Sequence, residues 1–514
     1  MIARYFSFMR NRKSTWADLL WGQFSRPIYL GIASFLLLFL MLGVRELWTQ
    51  EHRWADIVSG MFFRQDFFHP YLDTHNYYDK PLLSYWIIAA LTAITQQLNT
   101  TVLRLPSAFA GLLAIGSIYR LGTRLKNKSF GLLCGWLMLT TFYFIFWARI
   151  SSADMLNLAG SLFAVCWYFE KRDQPSSINF GIFFIILALT SLCKGLGGAV
   201  VAMLAVLPDL LYQHRWKQYM RVSLFMSLLP ALIIYILPFW LSAHINSEHY
   251  SQNGLYLVYR ENFLRYFHPF DHKDPIYIYF IFLPIYLLPW TIFFIPALWN
   301  LRSRWRTLDW NSRWMGWALL ILFVFFTLSG SRRNYYILPL VPFAILLSAD
   351  WLVFWAQKNP KNMPLAGRLV IGFFLLFVLF FNVLQPLYYS QGSYQDFSKI
   401  IQQEATKLRP WKEWQFILLD PESKIAFYLH LSPHVKYLGI EGDRDQQNAA
   451  SLLRAWPVLR EPPERTILIS RKHYKTSLSR LLPQYRMIDT SPTLRERWLH
   501  HEDPNAAIAL IPKK

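Results

Sequence analysis

Cysteine is scarce in this chain, with three in 514 residues, at positions 134, 166 and 193. All three fall inside apolar segments, where a thiol usually acts as a small hydrophobe. Neither a disulfide framework nor a thiolate metal cage is expected. Charge is also scarce: charged residues make up 16% of the chain, against 54% hydrophobic and 18% aromatic. A soluble fold could not keep so much apolar surface dry. Acids are the scarcer sign, 31 against 52 bases, giving a formal net charge of +21. In a soluble protein that excess would point to nucleic acid. Here it reads as basic loops held on the cytoplasmic side, with some contact to anionic membrane lipid. No glycine loop of the Walker type occurs, so a soluble nucleotide-linked donor is not indicated. No internal repeat is visible, which weakens an inverted-repeat transporter.

Long apolar windows are present instead. "PIYLGIASFLLLFLMLGV" and "LVIGFFLLFVLFFNVL" are nearly free of charge and close to the roughly 20 residues that span a bilayer. No apolar core precedes residue 28, and the first apolar run lacks a small-residue cleavage site. It is therefore expected to be a retained helix. Between the apolar runs, polar breaks alternate. One set is basic: the N-terminus, 119–129, 170–174, 212–221, 301–307 and 356–362. The other is mixed or acidic: 46–81, 148–154, 194–198, 242–275, 329–336 and everything after 388. Placing the basic set inside satisfies the positive-inside rule. About eleven to thirteen spans follow, near 28–46, 105–121, 130–148, 155–170, 178–193, 196–212, 221–242, 276–299, 312–329, 335–355 and 366–388. Segment 81–97 breaks the alternation and fits a helix lying at the outer interface or dipping part-way in. Residues 1–388 thus read as a polytopic α-helical membrane domain. Residues 389–514 read as a small α/β domain on the outer face, with short β-like runs at 414–420, 435–440, 465–470, 485–489 and 507–512 and a helix at 448–456.

The chemically rich breaks all fall in the outer set. Loop 46–81 holds Glu51, Arg53, Asp79 and Lys80; the span ends hold Asp154 and Lys194; the later breaks hold His272, Arg332, Arg333 and Tyr336. Charges beside hydrocarbon are costly and usually face a polar cavity. A bland account exists for each: a charge-rich loop is often only a solvated face, and Arg332 and Arg333 can snorkel to headgroups. Asp154 resists it, because it opens an apolar span with no basic residue three or four positions away. Lys194 is followed by Gly195, Gly197 and Gly198, which resembles a cation held where backbone can approach a phosphate. A carboxylate, Glu51 or Asp154, can act as general base on an acceptor hydroxyl or amine. Lys80, Arg53, Lys194, Arg332 and Arg333 can neutralise a phosphate. Together they suit a donor linked to a lipid phosphate, with the phosphate as leaving group.

These segments carry a resemblance. "EHRWADIVSGMFFRQDFFHPYLDTHNYYDKPLLSYWI" with "VLRLPSAFAGLLAI" is similar to the E-x-R-Y-A-E-I…EKPPL-x-Y-W…RLPSAL pattern of bacterial polyprenyl-phosphate sugar transferases, the family of aminoarabinose lipid A transferases and protein O-mannosyltransferases. "RISSADMLNLAGSLF", "LCKGLGGAVV" and "SRRNYYILPLVPFAILL" resemble its R-x-x-x-x-D, T-K-G and K-x-x-x-Y-x-L-P-x-x-P segments, in the same order over roughly 28–350. The resemblance implies a C-type glycosyltransferase fold in the inner membrane with a periplasmic active site. Sugar would pass from a polyprenyl-phosphate donor to a lipid, glycan or protein acceptor. It also implies roles: Glu51 and Arg53 as the first-loop acid and arginine, Asp154 as the second acid, Lys80 against the donor phosphate, and Tyr336 with its arginines in the phosphate-contacting set. Asp79 and His272 would hold a divalent metal ion. Two positions depart from the pattern: Gln50 replaces the first of two consecutive acids, and Asp79 replaces a Glu. The rival readings are a flippase or transporter of a lipid-linked substrate, which would place its charges near the midplane, and a non-catalytic accessory protein, which Gln50 keeps in play.

Overall fold

The computed structural model describes residues 26–514 except 49, 73–74, 78–79, 220–221, 246–255, 257, 270–271, 360, 391–392, 423, 432–434, 441–447, 491–502, 504–505 and 514. The chain packs as two units. One comprises 1–42, 76–97 and 102–382; the other comprises 43–75, 98–101 and 383–514.

The first unit is a helical bundle. Its helices are α1 (Pro27–Leu38), α2 (Leu83–Thr95), α3 (Thr100–Leu125), α4 (Lys128–Leu139), α5 (Phe142–Ala148), α6 (Ala153–Lys171), α7 (Ser177–Lys194), α8 (Gly197–Tyr212), α9 (Leu229–His244), α10 (Ile278–Tyr286), α11 (Thr291–Ser303), α12 (Trp310–Leu328), α13 (Val341–Lys358) and α14 (Asn362–Leu379). Local chemistry sets several starts. Pro27 occupies the first turn of α1, where its missing N–H costs nothing. Asn127 and Ser176 cap α4 and α7, accepting from Phe130 N and Asn179 N at 3.0 and 3.2 Å. The core is mainly apolar, with Trp136, Trp290 and Trp314 fully buried.

Among the described residues, six helical stretches are long and apolar enough to cross a membrane, or eight if each of two bent pairs is one span. That is fewer than the eleven to thirteen spans read from hydropathy, for three physical reasons. At 1.5 Å per residue, α1 and α8 reach only about 18 and 24 Å of a roughly 30 Å hydrocarbon layer. Asp154, Asn157 and Glu170 lower the hydropathy of α6. Two apolar runs also bend. The α4–α5 pair turns by 71°, where Thr140 and Thr141 hydroxyls donate to Trp136 O and Leu137 O at 2.6 and 2.8 Å and end the helix. The α10–α11 pair turns by 118°, around Pro284 and Pro289, which remove backbone donors. Helix α2 is 13 residues long, about 20 Å by the same rise.

Arginine staples the bundle together. Arg149 is 4% exposed. Its guanidinium donates to Leu37 O, Leu40 O and Met41 O at 2.8, 2.9 and 3.0 Å, satisfying carbonyls left open where α1 ends. Arg149→Met should therefore cost about 3 kcal/mol, read as a lower melting temperature of the detergent-solubilised protein. An unchanged melting temperature would mean those carbonyls find other partners. At the far end of α6 and α8, fully buried Asp209 accepts from Tyr168 Oη, Arg172 Nη1 and Trp310 Nε1 at 2.9, 2.8 and 2.8 Å. That end also carries the Arg120–Glu170 pair. Arg120 and Arg172, from two of the basic breaks, therefore lie at the opposite end of α6 from Asp154, as the positive-inside assignment requires.

The second unit holds a five-stranded sheet with order β2-β1-β3-β5-β4. Its strands are β1 (Gln415–Leu419), β2 (Lys436–Leu438), β3 (Thr466–Arg471), β4 (Tyr485–Asp489) and β5 (Ala507–Pro512). Strand β1 is parallel to β2 and β3, and β5 is antiparallel to β3 and β4. Helices α15 (Tyr394–Thr406), α16 (Ala449–Ala455) and α17 (Lys475–Leu481) accompany it. Ile417, Leu419, Leu468 and Leu510 pack with Leu452, Trp456 and Leu478. Strands β3 and β5 are buried on both faces, and their centres read as apolar runs, Ile467–Ile469 and Ala507–Ile511.

This unit also takes in segment 43–75, so the simple cut at residue 388 does not follow the packing. Leu47 N donates to Tyr428 Oη at 2.8 Å, and Tyr394 N donates to Glu46 Oε1 at 2.7 Å. Lys424 Nζ lies 3.2 Å from Glu46 and 3.0 Å from Glu422. Burial works against the Lys424 charge, but the two carboxylates more than offset it and hold its pKa above the usual lysine value. A raised lysine pKa gives stability that is fully present below the unfolded value and lost only as pH climbs through the folded one. The tie is therefore complete at neutral pH and opens only in strongly alkaline solution.

Candidate functional site

In the bundle, four of the expected residues meet. Asp154 sits in the first turn of α6. Ser152 caps that helix, its Oγ accepting from Asp154 N at 3.0 Å and donating to Asp154 Oδ2 at 2.8 Å. An acid at a helix N-terminus is favoured by the helix dipole. Lys194 is the last residue of α7, where the dipole favours a cation. Its Nζ hydrogen-bonds Asp154 Oδ1. The two side chains are 22% and 14% exposed, so the pair is sheltered but reachable. The same ammonium lies 5.0 Å from the centre of the Tyr336 ring, in cation–π geometry. Tyr336 Oη in turn lies 3.1 Å from His272 Nδ1. A carboxylate, an ammonium, a phenol and an imidazole thus form one continuous chain, drawn from positions 154 to 336.

The backbone around His272 is held by Arg332. His272 has φ +56°, an uncommon left-handed conformation for a non-glycine residue. Its carbonyl accepts from Arg332 N at 2.6 Å. Arg332 Nε donates to Asp274 O at 2.8 Å, and Nη1 bonds Ser329 O. The guanidinium of Arg332 therefore works first as a staple between two turns. Arg333 is half-buried and interacts with Tyr335.

The glycines after Lys194 have structural reasons. Gly195 has φ +125°, which glycine alone adopts readily. A Cβ at Gly198 would stand 2.2 Å from Asn157 Oδ1, so this glycine is needed for α6 and α8 to approach closely. The motif marks a tight turn and a helix contact, and phosphate approach is not required to explain it. Lys80 is half-buried in the turn ahead of α2, and α2 packs on α7, the helix that ends in Lys194.

Glu51 and Arg53 lie in the other unit, in the first turn of the helix Glu51–Arg64. Glu51 is 1% exposed. Its Oε2 accepts from Trp48 N at 2.7 Å and lies 3.7 Å from Arg45, while Glu51 N donates to Trp48 O at 2.9 Å. This reciprocal pair fixes the start of that helix. Glu51→Gln keeps an oxygen for Trp48, so its effect on activity should be small, less than about tenfold. A loss as large as that from changing Asp154 would show Glu51 acting chemically.

Asp79, the expected partner of His272 in a metal site, lies outside the described residues. Among the described residues no three His, Cys, Asp or Glu side chains converge as a metal would need. Two polar residues went unmarked in the sequence. Asn157, one turn after Asp154, is buried with an unpartnered Oδ1, and Asn262 accepts from Leu196 N at 2.8 Å. Spacing from Asp154 could have flagged the first; nothing local flags the second.

Known proteins resemble this chain along most of its length. The family model for dolichyl-phosphate-mannose-protein mannosyltransferases matches residues 79–241, a stretch that contains Lys80, Asp154 and Lys194. An undecaprenyl phosphate-alpha-4-amino-4-deoxy-L-arabinose arabinosyl transferase of Shewanella sediminis is 27% identical over 69% of this chain and 65% of its own length. A second protein of that name, from Pseudomonas fluorescens, is 27% identical over 70% of this chain and 66% of its own. In both cases the match spans slightly less than two thirds of the relative. Among solved structures, ArnT from Cupriavidus metallidurans bound to undecaprenyl phosphate superposes with a TM-score of 0.69. It is 16% identical and covers 94% of this chain and 97% of its own; the apo form gives 0.67. That likeness fixes the fold as the polytopic C-type glycosyltransferase bundle. Motif order, family model, relatives and fold all resemble the polyprenyl-phosphate sugar transferases of the ArnT and protein-mannosyltransferase type.

Proposed function

We propose that this protein is an inner-membrane glycosyltransferase that moves a sugar from a polyprenyl-phosphate carrier to an acceptor on the periplasmic side. The observation that carries this reading is the Asp154–Lys194 pair at one end of the bundle, continued through Tyr336 to His272. The acceptor oxygen or nitrogen attacks the anomeric carbon. A new bond forms there as the bond from that carbon to the phosphate oxygen breaks, and polyprenyl phosphate departs with the electron pair. The acceptor's proton goes to a carboxylate. Asp154 suits that role better than Glu51, whose carboxylate is committed to Trp48 and Arg45. Lys194 faces both Asp154 and the aromatic ring of Tyr336, so an arriving phosphate would compete with Asp154 for the same ammonium. Lys80 and Arg333 add positive charge for the leaving group, as the family resemblance suggests.

The relatives' names point to a deoxyaminopentose as donor sugar and the family model to mannose. A lipid acceptor fits the first and a protein acceptor the second. Mass spectrometry of lipid A, surface glycans and glycoproteins from cells with and without the protein tests the reading. One sugar-bearing species should vanish with the gene. Identical profiles in both strains would count against it. A transporter is less well supported, because Asp154 opens its helix and Lys194 ends its own rather than lying at a helix midpoint.

A further inference from the structure

We propose that Asn262 is a positioning residue that fixes Lys194 through the turn behind it; this rests on the reading of Lys194 given above. Helix α7 stops at Lys194, Gly195 takes φ +125°, and Leu196 precedes the first residue of α8. The N–H of Leu196 is one of the donors that a helix start leaves without an intrahelical partner. Asn262, 66 positions away, supplies the acceptor at 2.8 Å. The fit is close: a Cβ at Gly195 would stand 3.0 Å from Asn262 Oδ1. Any drift of Asn262 would therefore release the turn that aims Lys194.

The amide is anchored at its other end too. Asn262 Nδ2 donates to Val258 O at 2.7 Å, the carbonyl that a regular α-helix would pair with Asn262 N. Residues Tyr259–Leu264 accordingly widen into a π-helix, a form that often marks functional sites. Further along, Tyr266 Oη donates to Phe325 O at 3.0 Å, and Tyr266 O accepts from Gly330 N at 2.7 Å. His272 then meets Arg332 N and Tyr336 Oη. Contacts made by residues within 258–269 and 272–274 thus reach both the Lys194 turn and Tyr336, the two segments between which the ammonium sits. Asn262 touches no reacting atom. Its effect on rate would come entirely through where Lys194 stands, and misplacement by about 1 Å can cost up to about 10²-fold.

The test uses purified full-length protein in lipid nanodiscs with an undecaprenyl-phosphate-linked sugar as donor. Hydrogen exchange of the peptide containing Leu196 is measured alongside kcat and donor KM. Asn262→Ala should speed exchange at Leu196 and lower kcat about tenfold with little change in melting temperature. Asn262→Asp keeps the accepting oxygen and should restore slow exchange and most of the rate. Faster exchange with an unchanged kcat would overturn the positioning role. Unchanged exchange in Asn262→Ala would overturn the contact itself. An equal loss in Asn262→Asp would also overturn it, because the oxygen would then not be what matters. If the wild-type protein transfers no sugar, the functional reading fails first and this inference falls with it, an outcome distinct from an active wild type matched by Asn262→Ala.

Discussion

Asp154→Asn should lower sugar transfer by about 10²–10⁴-fold, the usual worth of a positioned acid–base group, and leave the protein folded. The substitution keeps size and shape. Ser152 Oγ still accepts from the backbone N–H of residue 154, so the start of α6 is preserved. What disappears is the negative charge beside Lys194 and the capacity to take a proton. The freed ammonium can then meet the donor phosphate without competition, so undecaprenyl phosphate should bind at least as tightly as in the wild type. Loss of kcat with donor affinity kept is the signature of a group that acts on the acceptor. Weaker binding together with lost rate would point to a collapsed site instead.

Lys194→Ala is the second large effect, and its signature should be the opposite. Removing a cation that stabilises a departing oxyanion typically costs about 10²–10³-fold, and here donor affinity should fall with it. The change also leaves Asp154 without the ammonium it bonds, so a lower melting temperature is expected. Lys194→Arg tests geometry separately from charge. The guanidinium is wider and planar, and it has to end the same helix beside the same ring, so only partial recovery is expected. Since Asp154 and Lys194 share a hydrogen bond, the double variant should lose much less than the product of the two single losses. Full multiplicativity, measured as kcat/KM, would show that the pair does not act as a unit.

Much of the fold is legible in the sequence because it depends on composition and period. The apolar runs are helices, and the five β-like runs after residue 414 form the sheet within a residue or two of their expected limits. Both signals are local. What escapes the sequence is long-range. Nothing near Leu47 announces Tyr428, 381 positions away, so segment 43–75 reads as a free loop although it is built into the unit that holds the sheet. The bends at 140–141 and 287–290 escape hydropathy because threonine and proline redirect a helix without making it less apolar. In the site, residue types are legible but their partners are not. Asp154 stands out as an acid opening an apolar span, yet its partner Lys194 lies 40 positions away. Glu51 looks equally chemical in sequence, and only its burial against Trp48 and Arg45 separates the two acids. The glycines after Lys194 suggest phosphate approach when read alone. The positive φ of Gly195 and the contact of Gly198 with Asn157 give them a structural reason.

On the reading above, this bundle breaks a sugar–phosphate bond, and Asp154 is essential to the step. The most direct test places the purified protein in nanodiscs with an undecaprenyl-phosphate-linked aminopentose or mannose and a lipid A or peptide acceptor. Released undecaprenyl phosphate and glycosylated acceptor are then quantified together. Equal amounts of the two products are expected from the wild type and near-background amounts from Asp154→Asn. Wild-type turnover matched by Asp154→Asn would contradict that reading. So would movement of intact donor between leaflets with no bond broken.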